Sequence, residues 1–187
     1  PHFHLSLQSG CDATLKRMNR HYTTEDYLRR CGILRKWFDH PAITTDVIVG
    51  FPGETQEEFE ITREFLKKVH FYEMHVFKYS KRAGTRAAVM PDQVPEQEKG
   101  RRSDVLLELE ASMSREYREH FIGSSVWVLF EDMAEGEGRK YIIGHTPQYV
   151  KAALAVKDGE ENRLSGQILC LKAAGLLGGD LLEVGWQ

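Results

Sequence analysis

Two blocks of the chain combine residue types and spacing suited to chemistry. The first is His4-Leu5-Ser6-Leu7-Gln8-Ser9-Gly10-Cys11-Asp12, continuing to Met18-Asn19-Arg20. The second is Asp46-Val47-Ile48-Val49-Gly50-Phe51-Pro52-Gly53-Glu54-Thr55. Each reads as a strand, then a polar Gly-bearing loop, then a helix. In repeating βα folds such strand ends carry the ligand. Gly50 and Gly53 would let backbone approach a ligand closely, and the free N–H groups of a following helix attract negative charge. A tight structural turn uses the same Pro and Gly, so both readings stand. Gln8 offers a donor and an acceptor suited to ribose hydroxyls, or a polar cap for the next helix. Asp46 sits inside a mostly apolar strand, where an unpaired carboxylate is costly. It must meet a partner, a ligand or solvent.

A third stretch, Tyr79-Ser80-Lys81-Arg82-Ala83-Gly84-Thr85-Arg86, could aim Lys81, Arg82 and Arg86 at phosphate or carboxylate, or form a solvated loop. His2, His4, His70 and His75 show no recognised metal spacing and read as ordinary strand or surface histidines. Cys11, Cys31 and Cys170 are too far apart for a CxxC-type metal site, and an odd number argues against a secreted disulfide scaffold. They read as buried or incidental thiols of a cytoplasmic protein.

The elements that must position these groups follow from patterning. Phe3 to Gln8 alternates apolar and polar residues, as a strand does. Asp12 to Met18 reads as a short helix. Thr23 and Thr24 are N-caps for a helix over Glu25 to Phe38, with Tyr27, Leu28, Cys31, Leu34 and Phe38 on one face. Ala42 to Val49 is a second strand. Thr55 to Glu58 forms a capping box and opens a helix to Val69, whose apolar residues are Phe59, Ile61, Phe65, Leu66 and Val69. Tyr72 to Tyr79 is a third strand. Strand, helix, strand, helix, strand implies right-handed crossovers and a parallel sheet. Three such units cannot close a barrel. The Phe3–Gln8 edge and one sheet face, carrying Val47, Val49 and Val76 or their alternates, would stay uncovered. After an 80–95 loop comes a long helix, Glu96 to His120, with Val105, Leu106, Leu109, Met113 and Tyr117 on one face.

Past Gly123 the texture changes. Ser125 to Phe130, Lys140 to Gly144, Tyr149 to Val156, Gly166 to Leu171 and Leu181 to Val184 are short strand-like runs between Gly-rich or polar turns. They suggest a small antiparallel barrel of OB-like size. The fold class is therefore α/β, a partial (βα) barrel over residues 1–120 followed by a small β-barrel over 121–187.

The chain has 187 residues and is 41% hydrophobic, enough for a core. No apolar run approaches the roughly 20 residues of a membrane span, and no secretory signal opens the chain. It opens at Pro1 without a Met, so the N-terminus reads as an artificial boundary or a cleavage product. Net charge is −3. Residues 1–118 hold 19 Lys/Arg and 18 Asp/Glu; residues 119–187 hold 6 and 10. Neither part has the strongly basic balance of a typical nucleic-acid module. Lys16, Arg17, Arg20, Arg29, Arg30, Arg35 and Lys36 read as a solvated helix face.

The blocks HLSLQSGCDATLKRMNRHYT, TDVIVGFPGET and YSKRAGTRAA resemble the radical-SAM methylthiotransferase family, relatives of MiaB and RimO. The resemblance is best with the MtaB branch, which modifies N6-threonylcarbamoyladenosine next to the anticodon of tRNA. It covers residues 1–118 specifically, and residues 119–187 resemble the family's C-terminal TRAM domain. It implies insertion of sulfur and a methyl group at an adenine C–H carbon. It also implies S-adenosylmethionine and two [4Fe-4S] clusters in a full-length enzyme. Neither cluster-binding cysteine set is present in this chain. By that resemblance the chain is the C-terminal part of such an enzyme, inactive and cluster-free alone, and its partners are tRNA and the missing N-terminal half. S-adenosylmethionine contacts would fall at Gln8, Ser9, Asp46, Gly50, Gly53 and Glu54. RNA contacts would fall at Arg139, Lys140, Lys151 and Lys172, with Tyr141 and Tyr149 as stacking surfaces. Two other readings are an RNA-binding module without chemistry and a methylthiotransferase acting on a ribosomal protein.

Overall fold

The computed structural model describes residues 1–136, 138–157 and 159–186. They form two compact units, one of Phe3–Met113 and one of Ser114 onward with Pro1–His2. The first unit contains β1 (His2–His4) from Phe3 on, α1 (Asp12–Arg17), α2 (Thr24–Trp37), β2 (Ala42–Val49), α3 (Gln56–Val69) and β3 (Glu73–Lys78), and then a 3-10 turn, Arg86–Val89. The helix α4 (Glu96–Glu119) runs from this unit into the next. The strands make one sheet in the order β1-β2-β3, and β2 and β3 are parallel.

Local sequence explains the helix starts. Thr23 with Asp26, and Thr55 with Glu58, close reciprocal capping boxes, satisfying backbone N–H groups that the first turn would leave bare. Each such cap stabilises its helix by about 1 kcal/mol. The helices cover one sheet face. Leu7, Ile43, Val47, Val49 and Met74 pack there with Tyr27, Cys31, Phe59, Leu66, Val69, Leu106 and Met113. Val47 and Val49 are thus under helices, and the uncovered face carries their alternates: His4, Asp46, His75 and Phe77. Ile61 of α3 is 54% exposed, off the buried stripe.

β1 is shorter than the alternation suggests. Side chains take over the ladder: Thr45 Oγ1 accepts the Leu7 N–H at 2.9 Å and donates to the Leu5 carbonyl at 2.6 Å. The Tyr27 hydroxyl donates to the same carbonyl. Pairing resumes at Gln8, whose φ is +71° and which bridges Val47 in parallel.

The second unit is a closed barrel. Its strands are β4 (Ser125–Gly136), β5 (Arg139–His145), β6 (Lys151–Val156), β7 (Ile168–Leu177) and β8 (Leu181–Gly185), with a short helix, α5 (Glu161–Leu164), before β7. The ring order is β4-β5-β6-β8-β7. The expected antiparallel barrel needs correction, because β6 and β8 run parallel. Five strands in a closed ring cannot alternate direction throughout, so one neighbouring pair must be parallel. β4 also runs past Phe130, where its polar tail hid strand character. A register shift between Phe130 and Asp132 lets its first half pair with β7 and its second with β5.

Inward positions alternate as the pleat requires: Val126, Val128 and Phe130 of β4 are buried with Ile142, Leu154, Leu171 and Val184. Gly144 of β5 lies hard against β4. A Cβ there would collide with the Leu129 carbonyl and lie 2.7 Å from Val128 Cγ1. Gly144→Ala should therefore lower the stability of the chain by about 1–3 kcal/mol, read as a drop in the denaturation midpoint. Unchanged stability would refute the close approach.

Candidate functional site

The loop between β2 and α3 is built around a buried ion pair. Arg102 Nη1 of α4 donates to Glu54 Oε1 at 2.5 Å and to the Glu54 carbonyl at 3.1 Å. Glu54 Oε1 also accepts the Gly50 N–H at 2.9 Å. Burial pushes the Glu54 carboxyl above its ordinary range, exceeding the pull of the Gly50 N–H and of Arg102. Glu98, bonded by Arg101 and Arg102, is held down to about 2 and keeps Arg102 in place through an Nε bond of 2.8 Å. Lys99, one turn earlier, donates to the Tyr79 carbonyl at the end of β3.

Gly50 and Gly53 have φ of +71° and +77°, a region that strains residues bearing a Cβ. A Cβ on Gly50 would meet the Lys99 stem, and one on Gly53 would meet the Arg17 guanidinium. Their bare faces are turned to side chains of this chain. The N-terminus of α3 is likewise taken: Glu58 accepts the Thr55 N–H and pairs with Arg17. Partial burial pushes the Glu58 carboxyl up, but the Arg17 bond and the Thr55 N–H outweigh it and hold it below its ordinary range. Of the basic cluster, Arg17 is thus a fastener, and so is Arg35, which donates to the Val69 and His70 carbonyls at the end of α3.

Ser9 is fully buried, with its hydroxyl against Thr62 Oγ1 and accepting the Cys11 N–H. Gln8 is also buried, at the strand end. Asp46 lies four residues before Gly50, on the uncovered face. Its carboxylate takes the Ser6 hydroxyl at 2.8 Å, His4 Nε2 at 3.1 Å and His75 Nδ1 at 3.1 Å. Partial burial raises its carboxyl, yet those three hydrogen bonds prevail and leave it below its usual range. Beyond β3, Lys81 and Ser80 line a hollow of about 710 Å³ with Lys78, Lys99 and Gln93.

In the barrel, the six RNA-contact candidates fall in separate places. Arg139 and Lys140, at the start of β5, border a hollow of about 1180 Å³ with Lys157 and Trp186. Lys151 pairs across strands with His145 at the other end of β5, and the exposed Tyr149 ring stacks on His145 at 4.6 Å. Lys172 is exposed on β7. Tyr141 is 4% exposed and packs in the barrel core, so its ring offers no stacking surface. Trp186 and Trp127, 65% and 57% exposed, are the large open rings that the sequence reading missed. Trp127 follows the same in-out alternation as buried Val126 and Val128 and was detectable as an outward position.

Among the described residues, no cysteine belongs to a group of metal-ligating side chains. Cys11 and Cys31 are buried, burial pushes the Cys31 thiol up, and Cys170 is on the barrel surface. These residues do not fit an iron–sulfur cluster, which needs grouped thiolates. At the strand ends, Ser9 and Glu54 are buried and bonded to Thr62 and Arg102.

The sequence relationships follow the same blocks. The Radical SAM superfamily profile matches residues 1–66. The chain is 41% identical to the threonylcarbamoyladenosine tRNA methylthiotransferase MtaB of Bacillus subtilis, over 91% of this chain and 37% of that protein. It is 46% identical to the tRNA-2-methylthio-N(6)-dimethylallyladenosine synthase of Acetivibrio thermocellus, over 72% of this chain and 28% of that protein. With MtaB of Thermotoga maritima it shares 47% over 70% of this chain and 30% of that protein. The chain is similar to these radical-SAM methylthiotransferases, and spans well under half the length of these relatives. Among the described residues, no helix is long and apolar enough to cross a membrane.

Two outcomes follow from this geometry. Arg102→Ala leaves the Glu54 carboxyl buried without its cation and should cost about 3–5 kcal/mol in chemical denaturation. A loss below 1 kcal/mol would mean that the pair does not hold the loop. Glu58, whose carboxyl is lowered by folding, contributes stability above the ordinary Glu range, near pH 4.3, and loses it as pH falls through its folded value. Melting curves from pH 7 to 3 should show Glu58→Gln losing less stability on acidification than the parent chain.

Proposed function

We propose that this chain is the C-terminal part of a radical-SAM tRNA methylthiotransferase that acts on N6-threonylcarbamoyladenosine next to the anticodon. The observation that carries the reading is the 41% identity to MtaB across 172 residues, which takes in both compact units. In this reading Phe3–Met113 is the last part of a (βα) barrel, and the closed five-stranded unit is an OB-like TRAM domain. The boundary lies near residue 120. The full-length enzyme would bind S-adenosylmethionine and two [4Fe-4S] clusters through cysteines outside this chain, and would work in the cytoplasm.

Bound S-adenosylmethionine, together with a reducing cluster outside this chain, would supply the radical chemistry needed at the adenine carbon. This chain's residues do the holding. Gln8 and the Gly50–Gly53 turn present backbone at the strand ends, where parallel sheets receive ligands. Ser9 and Glu54 fix those turns through Thr62 and Arg102. Asp46, by contrast, is occupied by His4, Ser6 and His75. On the barrel, Arg139, Lys140, Lys151 and Lys172 pair with RNA phosphates, and Tyr149 and Trp186 stack on bases.

The decisive experiment expresses the complete gene, reconstitutes the enzyme anaerobically and digests treated tRNA for mass spectrometry. Formation of the 2-methylthio derivative of threonylcarbamoyladenosine is the expected result. Methylthiolation of dimethylallyladenosine alone, or of no tRNA, overturns the assignment. For the present chain, binding of a tRNA anticodon stem-loop should weaken with salt and fall at least about tenfold in Lys140→Ala plus Lys151→Ala. Binding indifferent to both would remove RNA from the barrel's role.

A further inference from the structure

The uncovered sheet face holds a group that the reading above does not use. His4, Asp46 and His75 come from three adjacent strands, and Asp46 and His75 are register partners. Their ligand atoms lie within 4.8 Å of one another, and no other such group of His, Cys, Asp or Glu occurs among the described residues. We infer that His4, Asp46 and His75 form a binding site for one divalent transition-metal ion of the zinc class, with an exchangeable position open to solvent.

The donor set carries this. Two imidazoles and one carboxylate are ligands such ions take, and three protein ligands plus solvent is the open form of a zinc site. In a tetrahedral site, ligand atoms sit about 3.3 Å apart, given metal–ligand bonds of about 2.0–2.1 Å. Asp46 Oδ2 is 3.1 Å from His4 Nε2, and Asp46 Oδ1 is 3.1 Å from His75 Nδ1. The imidazole rings lie 28° from parallel with centroids 5.9 Å apart, and the three ligand atoms fall within 4.8 Å of one another.

The supporting contacts are also those a metal site needs. The other ring nitrogen of His4 meets Thr44 Oγ1 at 3.0 Å, which orients the ring with Nε2 toward Asp46. The Ser6 hydroxyl donates to Asp46 Oδ2. Such outer contacts fix ligand orientation in metal sites. An incoming ion would take the place of the hydrogen bonds that now join Asp46 to the two imidazoles. His75 is 60% exposed, which leaves ion and solvent an approach.

The inference does not depend on the methylthiotransferase reading, because an inactive chain would still bind the ion. The test titrates Co(II) into the purified 187-residue chain. It follows the visible absorption of the bound ion, with competition by Zn(II). One equivalent should bind. His75→Ala and Asp46→Asn should each weaken it by at least about 100-fold, and Thr44→Val by about tenfold. His145→Ala and Cys170→Ser, on the barrel, should leave it unchanged. Imidazole nitrogen NMR provides the second readout, independent of variant folding: Zn(II) should shift His4 and His75. Absence of stoichiometric binding, binding insensitive to His75→Ala, or shifts confined to other histidines would overturn the site.

Discussion

The buried Arg102–Glu54 pair is the constraint on which the strand ends depend. A charge sequestered from water is tolerated only when matched and fully hydrogen-bonded. Here the match crosses 48 residues and joins α4 to the loop after β2. Glu54 uses the same oxygen to fix the Gly50 N–H, so one ion pair sets the path of the turn. Lys99 then fills the space beside Gly50 and reaches the end of β3. One helix thereby aligns the ends of two parallel strands.

That alignment divides the sheet into two chemically different faces. The helix-covered face is aliphatic and aromatic, and its burial supplies the main drive for folding. The other face keeps imidazoles and a carboxylate half in water, where Asp46 remains charged. Such groups cost little there and would cost much beneath the helices. The barrel solves a different problem. It closes its edges against one another, and accepts one parallel pair as the consequence of an odd ring.

The element order was legible because periodicity and caps are local. Ala42 to Val49 and the Thr55 capping box are written in adjacent residues, and the structure has them at those positions. The strand Phe3 to Gln8 was only partly legible, because Thr45 and Tyr27, distant in sequence, take its backbone partners. The tail of β4 escaped because exposed strand residues such as Glu131 and Asp132 carry no apolar signal.

For the sites, sequence determined residue types and the family resemblance, since the blocks around Gln8 and Gly50 are contiguous. It left Gly50 open between ligand approach and structural turn, and only the packing of Lys99 and Arg17 showed which side chains use that space. It treated His4 and His75 as unrelated, because 71 residues of chain separate them. Parallel pairing of three strands brings them to one carboxylate, and register is a property of the sheet rather than of any segment. Tyr141 and Trp186 make the same point: aromatic type is written in the sequence, but whether a ring faces core or solvent is decided by closure of the barrel.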